Sequence, residues 1–309
     1  MMEASEVERE FHYRLPTRVG GQRPGAHMGT SVGGGQLFAA HRRLIDYPDP
    51  RRLDLRASLR EGRGDWLVQV QRQRVAIPVH ALVDVSASMY FGAQRSKLQV
   101  VADFVEAMGT SAFRVGDPAG LSAYDDIERE DLYLPARLGR GTGAAMAALL
   151  RACAASAPSP QRARGAWFRR KAGARTAPRG LGDCAARLAG RRGLVFIASD
   201  FHGPLDGLEA ALDALTHAFV VPMIAWDPAE TTPPADVGLL GVRDAETGAR
   251  RTLWLREGLR REWRAAVAAR RAELNALFAA RGLVAFNLLG PDGAFDAEAL
   301  TQHFLETVG

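Results

Sequence analysis

The sequence predicts an α/β fold in which helices flank a mostly parallel sheet. After residue 74, apolar runs of strand length alternate with amphipathic stretches of helix length, a pattern typical of parallel strands joined by helical crossovers. Strands of that kind are buried on both faces, so they read as continuous apolar runs. Five such runs have room for one strand each: 75–86, 119–124, 193–201, 218–226 and 282–290.

Helices are predicted where apolar residues recur with a period of about 3.6 residues. These stretches are 96–114, 143–155, 204–218, 257–282 and 296–308. In the longest of them, Gly282 stands where helices commonly end in a left-handed residue. In the last, Asp296 is a suitable N-cap. Both late helices are expected to cover the sheet.

The first 74 residues and one later stretch have a different character. Gly and Pro interrupt "RVGGQRPGAHMGTSVGGGQLF", and "GDWLVQVQRQ" alternates apolar and polar residues as a half-exposed strand does. We therefore expect a β-rich N-terminal extension at 1–74, packed on a main domain at 75–309. Around "ETG", two short strand-like runs predict a β-hairpin insertion at 236–255.

The composition argues against several classes of protein. The chain has no run of eighteen apolar residues, and its N-terminus "MMEASEVEREFHYRLP" has acids but no apolar segment. We therefore expect neither a membrane span nor a signal peptide, and a cytoplasmic protein. The two cysteines, Cys153 and Cys184, lie far apart and outside any C-x-x-C pattern. They are expected to be buried small hydrophobic residues, and not a disulfide or a thiolate metal site.

Positive charge is concentrated in one basic segment, 157–192. Between residues 161 and 192 there are ten Lys or Arg residues and a single acid, Asp183. Such a patch attracts polyanions or an acidic protein face. Its candidate partner contacts are Trp167, Arg169, Arg170 and Lys171. Two alternatives stay open: a solvated loop without a partner, and a nucleic-acid-binding surface on which Trp167 and Phe168 stack against bases. Nucleic acid is the less favoured partner.

Polar side chains follow two of the predicted strands and open one predicted helix. Asp84, Ser86 and Ser88 end the run "VHALVDVSAS", Asp200 ends "GLVFIASD", and Thr142 lies in "LGRGTGAAM". In open parallel sheets, ligands bind outside the carboxyl ends of the strands. Two carboxylates and three hydroxyls are hard oxygen donors, which suit Mg²⁺ or Mn²⁺. The pattern therefore predicts a metal site at this edge of the sheet.

The motif "DVSASM" resembles the D-x-S-x-S motif of the metal-ion-dependent adhesion site in von Willebrand factor A-type domains. Thr142 and Asp200 fall, in order and local context, where that family has its threonine and second aspartate. The resemblance implies a von Willebrand factor A-like, doubly wound sheet. It also implies that Ser86, Ser88 and Thr142 ligate the metal, that Asp84 and Asp200 act largely through water, and that an open position accepts a partner's carboxylate.

The flanking segments extend the resemblance over most of the chain. "RPGAHMGTSVGGGQLF", "DYPDPRRLDLRASLR" and "RDAETG" are similar to the bacterial branch of A-type proteins encoded beside MoxR-type AAA+ ATPases, and most of all to methanol-oxidation accessory proteins. The resemblance implies a metal-dependent interaction module without enzymatic activity. Its partner would be a MoxR-type ATPase or a maturation protein for a dehydrogenase such as methanol dehydrogenase, contributing an Asp or Glu to the metal.

The sequence offers little support for an enzyme. The seven histidines are scattered, there is no H-E-x-x-H and no G-x-S-x-G, and "GRGTG" lacks the lysine of a P-loop. Only His202 is expected on the loop side of the metal site, two residues after Asp200, where it is a candidate partner contact. A metal-dependent hydrolase stays open as an alternative.

Overall fold

The computed structural model describes residues 10–15, 24–33, 37–62, 64–156, 179–234, 238–243, 250–290 and 292–308. The strands within them are β1 (Pro24–Gly33), β2 (Leu37–Arg43), β3 (Leu67–Val75), β4 (Val79–Asp84), β5 (Ala119–Tyr124), β6 (Glu128–Arg137), β7 (Leu194–Ser199), β8 (Phe219–Ile224), β9 (Gly238–Arg243), β10 (Arg250–Leu255) and β11 (Phe286–Asn287). The helices are α1 (Leu55–Arg60), α2 (Lys97–Val115), α3 (Thr142–Ala155), α4 (Gly180–Leu188), α5 (Asp206–Ala214), α6 (Pro228–Thr231), α7 (Glu257–Ala279) and α8 (Ala297–Val308).

A six-stranded, mostly parallel sheet forms the centre of the protein, as the sequence predicts. Its strand order is β11-β8-β7-β4-β5-β6, and every neighbouring pair is parallel except β5 and β6. Strands β4, β5 and β7 are buried along their whole length, which explains their continuous apolar sequences. The parallel strands all end at one edge of the sheet, which we call the carboxyl edge.

Helices cover both faces of this sheet. On one face, α2 and α8 bury Phe104 and Phe304 in a core that also includes residues of α3. On the other face, α5 and α7 bury Leu212 and Phe278 together with residues of α4. Each fully buried side chain of this size contributes about 1.5–3 kcal/mol. The two cores hold the sheet between them and leave its carboxyl edge to the loops.

The N-terminal segment 10–15 enters the first of these cores. Phe11 is 2% exposed, and its ring lies 6.0 Å from that of Phe196, 6.1 Å from that of Phe104 and 6.4 Å from that of Phe304. Such aromatic contacts add to the free energy gained by burying each ring. The core of the main sheet therefore includes a residue from the N-terminal segment 10–15.

Helix α2 lies within one residue of its predicted range, 96–114. Ser96 and Gln99 form a reciprocal capping box at its start, and Gly116, at φ +82°, ends it. Helix α3 packs closely on α2 because two glycines face each other: a Cβ on Gly109 would lie 2.3 Å from the Cα of Gly143. Helix α8 begins at its predicted cap, since Asp296 Oδ1 accepts the amide hydrogens of residues 298 and 299.

The described part of the N-terminal extension contains an antiparallel sheet in the order β1-β3-β2. The segment 50–60 is different, because it forms a short 3-10 turn and then α1. Asp54 caps α1 by accepting the amide hydrogen of Ala57 at 2.9 Å, and its other oxygen accepts a hydrogen bond from Gln69 of β3. Local capping thus favours a helix in a region where the sequence predicts mainly strands.

Strands β9 and β10 lie in the stretch 236–255, where the sequence predicts a hairpin insertion. They pair antiparallel from Gly238 opposite Leu255 to Arg243 opposite Arg250. The predicted "ETG" turn lies outside the described residues. Within the described part of the chain, no helix combines the length and the apolar character needed to cross a bilayer.

Two features of the central sheet differ from the sequence-based expectation. Strand β6 was not predicted, because only Leu132 of its ten residues is buried and charged residues occupy most of its exposed positions. Such an edge strand has no continuous apolar run to reveal it. The predicted strand at 282–290 contains only the two residues of β11, since this edge position pairs with β8 alone.

The buried His80 in β4 leads to a prediction about acid stability. Burial, followed by the positive charge of Arg191, lowers the pKa of His80 to about 4, so the unfolded chain binds a proton that the folded chain does not between about pH 6.5 and pH 4. Stability is therefore lost as the pH falls through this range. Between pH 7 and pH 5 the wild type should lose about 2 kcal/mol more than His80→Leu. Urea unfolding at both pH values measures this, and equal losses would contradict it.

Candidate functional site

Three loops meet at the carboxyl edge of the sheet and carry the candidate site. They follow β4, β7 and β8, and they lead toward α2, α5 and α6. The first and third are joined directly, because the amide of Ala93 donates to Asp227 Oδ2 at 3.0 Å. This is the edge at which open parallel sheets bind ligands.

Asp84, the last residue of β4, is held inside the site by two hydrogen bonds. Its Oδ1 accepts the amide hydrogen of Ser86 at 2.8 Å, and its Oδ2 accepts the hydroxyl hydrogen of Ser199 at 2.6 Å. Burial, and then the negative charge of Asp200, raise the pKa of Asp84 to about 6. The negative charge of Asp200 therefore disfavours the ionised form of Asp84.

The two serines of the motif lie beside these carboxylates. Their hydroxyl oxygens are 3.2 Å apart, and both residues are half-buried at the start of the short 3-10 turn Ala87–Tyr90. The hydroxyl of Ser88 hydrogen-bonds Asp200. Four of the five predicted ligands, Asp84, Ser86, Ser88 and Asp200, are thus brought together.

Lys97, the first residue of α2, points its ammonium group into the same site. The side chain is 0% exposed, and its Nζ lies 2.8 Å from Asp200 Oδ2 and 2.8 Å from Glu230 Oε1. Burial alone would lower the pKa of Lys97, but the charges of Asp200 and Glu230 outweigh it and raise that pKa. Burial likewise acts to raise the pKa of Asp200, but Lys97, then His202, outweigh it and lower that pKa. The site therefore contains a permanent positive charge.

His202 and Glu230 form the outer wall of the site. The His202 ring stacks on Trp226, with ring centroids 5.7 Å apart, and its Nε2 lies 4.0 Å from Glu230 Oε2. Trp226 in turn donates its indole hydrogen to the carbonyl of Asp200 at 2.7 Å. Asp200, His202 and Glu230 each offer one ligand atom, and these three atoms lie within 4.8 Å of one another. His202 is 44% exposed at its side chain, so this wall faces solvent.

The backbone after Asp200 is strained in a way that sets the position of both Asp200 and His202. Phe201 has φ +50°, and among the described residues it is the one non-glycine residue with positive φ. Strain of this kind persists only where the surroundings hold it. Ser199 accepts the amide hydrogen of Phe201 at 3.0 Å, and Arg270 of α7 donates from Nε to the carbonyl of Phe201 at 3.1 Å. Arg270 also hydrogen-bonds Gly203.

Thr142 does not belong to this site, and its prediction as a metal ligand is wrong. The hydroxyl of Tyr90, two residues after Ser88, lies 3.2 Å from the sulfur of Cys153. Cys153 follows Thr142 by eleven residues of the same helix, which places Thr142 about 16 Å farther along α3. One metal ion cannot reach both Ser88 and Thr142.

The reason for this error is the unpredicted strand β6. A helix that follows a parallel strand begins at the carboxyl edge, which is what placed Thr142 there. Strand β6 instead runs antiparallel, and its last residue, Arg137, pairs with Ala119 at the start of β5. The chain therefore begins α3 near the opposite edge, where Gly143 packs against Gly109, twelve residues after Lys97 on α2.

The other predicted contacts have mixed outcomes. His202 lies beside the site as predicted, whereas the basic-segment contacts Trp167, Arg169, Arg170 and Lys171 lie outside the described residues. Two residues of the site, Lys97 and Glu230, were missed. Sequence signals for them do exist: a lysine directly after a capping serine opposes the helix dipole, and "DPAE" after β8 is a capping box that fixes Glu230.

The remaining donors fit a hard divalent cation. The 3.2 Å between the Ser86 and Ser88 hydroxyls is close to the roughly 3 Å between adjacent ligands around Mg²⁺. A cation would relieve the repulsion between Asp84 and Asp200. The formal charge of Asp84, Asp200, Glu230 and Lys97 together is minus two, which one divalent cation balances. Ser86 and Ser88 would ligate it directly, with the two aspartates beside it.

Fold and site together define a class of protein: an α/β protein whose mostly parallel sheet, flanked by helices, carries two buried carboxylates and a pair of hydroxyls at its carboxyl edge. The chain belongs to the family described as Protein of unknown function DUF58, whose family model matches residues 48–273. The comparison with curated proteins found no match.

Proposed function

We propose that the protein is a metal-dependent interaction module, which binds Mg²⁺ or Mn²⁺ at the carboxyl edge and presents it to a carboxylate of a partner protein. One observation carries the proposal: two hydroxyls 3.2 Å apart adjoin two buried carboxylates, those of Asp84 and Asp200. Hard oxygen donors grouped in this way suit a hard divalent cation.

The loss of Thr142 from the site changes the proposal in one respect. A metal held directly by Ser86 and Ser88 has more positions left for water or a partner than the five-residue site implied by the resemblance. Mg²⁺ commonly keeps several waters and takes few protein ligands. An exchangeable position for an acidic side chain is therefore compatible with the smaller set.

The same site gives little support to catalysis. Ser86 and Ser88 are near carboxylates that are already engaged: Asp84 accepts from Ser86 and Ser199, and Asp200 accepts from Lys97. A serine nucleophile needs a base that is free to take its proton. Metal-dependent binding is therefore the function that these contacts favour over hydrolysis.

For the partner, we propose a MoxR-type AAA+ ATPase. DUF58 is associated with MoxR ATPases, and the flanking sequences resemble A-type proteins encoded beside them. The finer resemblance, to the methanol-oxidation accessory protein MxaS, supports a role in assembling or metal-loading a dehydrogenase such as methanol dehydrogenase. Residues 157–178 of the basic segment lie outside the described residues.

The test is capture of the MoxR-type ATPase on the immobilised protein. Capture is expected with Mg²⁺ and is expected to disappear with EDTA. The variant Ser86→Ala/Ser88→Ala, which removes both hydroxyl ligands, should abolish it even with Mg²⁺. The control, Ser156→Ala, removes an exposed hydroxyl at the end of α3 and should capture the ATPase like the wild type. Capture that persists in EDTA would exclude the metal-dependent mode.

A further inference from the structure

We propose that the Lys97 ammonium is a tethered cation that occupies a second cation position in the site, between Asp200 and Glu230. By occupying it, Lys97 limits how tightly the neighbouring hydroxyl site binds a divalent metal and keeps the metal-bound site attractive to an acid. The proposal rests on the proposed function for the role of that metal.

The position of the ammonium is fixed from both sides. Lys97 is fully buried and contacts two carboxylates at 2.8 Å each. Glu230 is held in place by the capping box of α6, in which its Oε2 accepts the amide hydrogen of Asp227 at 3.1 Å. Asp200 is held by Ser88 and by the amide of His202 at 3.1 Å. The two carboxylates are thus held in place by contacts other than those with Lys97.

Placing a lysine here is energetically unfavourable unless its charge is used. It is the first residue of a 19-residue helix, where the helix dipole is positive and favours acids. Burial adds a desolvation penalty for the charged group. The two carboxylates offset both costs. The ammonium, held between them, is therefore placed as a bound cation would be.

His202 adds a third candidate metal ligand at the position that the Lys97 ammonium occupies. Together with Asp200 and Glu230, it presents ligand atoms within 4.8 Å of one another, a spacing that one metal ion spans. The Lys97 ammonium contacts both of these carboxylates. It therefore excludes a free ion from a place that would otherwise attract one.

The charge that Lys97 adds has opposite effects on the metal and on the partner. With Lys97, the carboxylates of Asp84, Asp200 and Glu230 leave a formal charge of minus two, so a bound divalent ion makes the site neutral. Without it, the same site would bind the ion more strongly but remain negative. A negative site repels an incoming carboxylate. Lys97 therefore weakens metal binding and strengthens acid binding.

The experiment compares Lys97→Met with Arg95→Met. Both variants lose one positive charge near the start of α2, but Arg95 pairs with Asp103 and not with the site. Titration with Mn²⁺ alone, followed by electron paramagnetic resonance, should show binding about tenfold or more tighter in Lys97→Met. Arg95→Met should match the wild type. Equal affinities in the two variants would overturn the proposal.

Acetate serves as the probe for the partner's acid. Its binding to the Mn²⁺-loaded protein, measured by water-proton relaxation, should be several-fold weaker in Lys97→Met than in the wild type. Equal or tighter acetate binding would overturn the second half of the proposal.

A double variant keeps the test valid if Lys97→Met alone fails to fold. Lys97→Met/Glu230→Gln restores the formal charge of the site, so its Mn²⁺ affinity should return to within a few-fold of the wild type. If the double variant instead binds Mn²⁺ about tenfold or more tighter than the wild type, charge is not the cause and the proposal is wrong. Failure of the proposed function looks different: the wild type would not bind Mn²⁺, while Lys97→Met would.

Discussion

Asp84→Asn is expected to weaken Mn²⁺ binding by about tenfold to a hundredfold, the range seen when a group that supports metal ligands is lost. Asparagine keeps a carbonyl oxygen for the amide of Ser86 and an amide that can hydrogen-bond Ser199, the two groups that Asp84 contacts. The fold should therefore persist, and only the charge is removed. Because that charge lies beside a second carboxylate, that of Asp200, its loss removes much of the attraction for a cation.

Thr142→Ala is the informative control for this variant. Thr142 lies at the far end of α3 from the contact between Cys153 and Tyr90, so its Mn²⁺ affinity should stay within twofold of the wild type. Isothermal titration of both variants, with urea unfolding to verify their stability, makes the comparison. A loss in Thr142→Ala as large as that in Asp84→Asn would show that α3 begins at the metal site after all.

Asp117→Ala is expected to destabilise the protein by about 3–5 kcal/mol, the cost of removing one partner from a buried charged network. The Asp117 carboxylate is 0% exposed and contacts Tyr13 Oη and His27 Nε2 at 2.6 Å each. Its other oxygen accepts the amide hydrogen of Ile77 at 2.9 Å. Alanine would leave these three groups without their acceptor in the protein interior.

The measurement for Asp117 is equilibrium unfolding in urea. Asp131→Ala provides the matched control, because Asp131 is 63% exposed and pairs with Arg129 at the surface. Exposed ion pairs of this type contribute about 0–1 kcal/mol. A change below 1 kcal/mol in Asp117→Ala would mean that Tyr13, His27 and Ile77 find other partners.

Much of the central sheet could be predicted because burial on both faces leaves a clear mark on the sequence. Strands β4, β5, β7 and β8 each lie within a predicted apolar run, α2 lies within one residue of its predicted range, and α8 begins at its predicted cap. Strand β6 left no such mark, since its exposed edge tolerates charged residues. Because β6 was missed, the predicted direction of the next element, helix α3, was wrong.

The candidate site was predictable to the same extent. Asp84, Ser86, Ser88 and Asp200 end buried parallel strands or follow them directly, so the sheet geometry alone brings them together. Thr142 depended on β6 and was misplaced with it. Lys97 could not be assigned to the site from residue spacing, because it lies on helix α2 and reaches the site only through its long side chain.

The insertion of Phe11 among three rings of the main core has a practical consequence for anyone dividing this chain into fragments. A fragment that starts at residue 75, the boundary suggested by composition, would omit Phe11 and leave an opening between Phe104, Phe196 and Phe304. It would also cut at the last residue of β3. A fragment that retains residues 10–15 keeps this core intact. The shorter fragment would expose aromatic surface and is expected to aggregate.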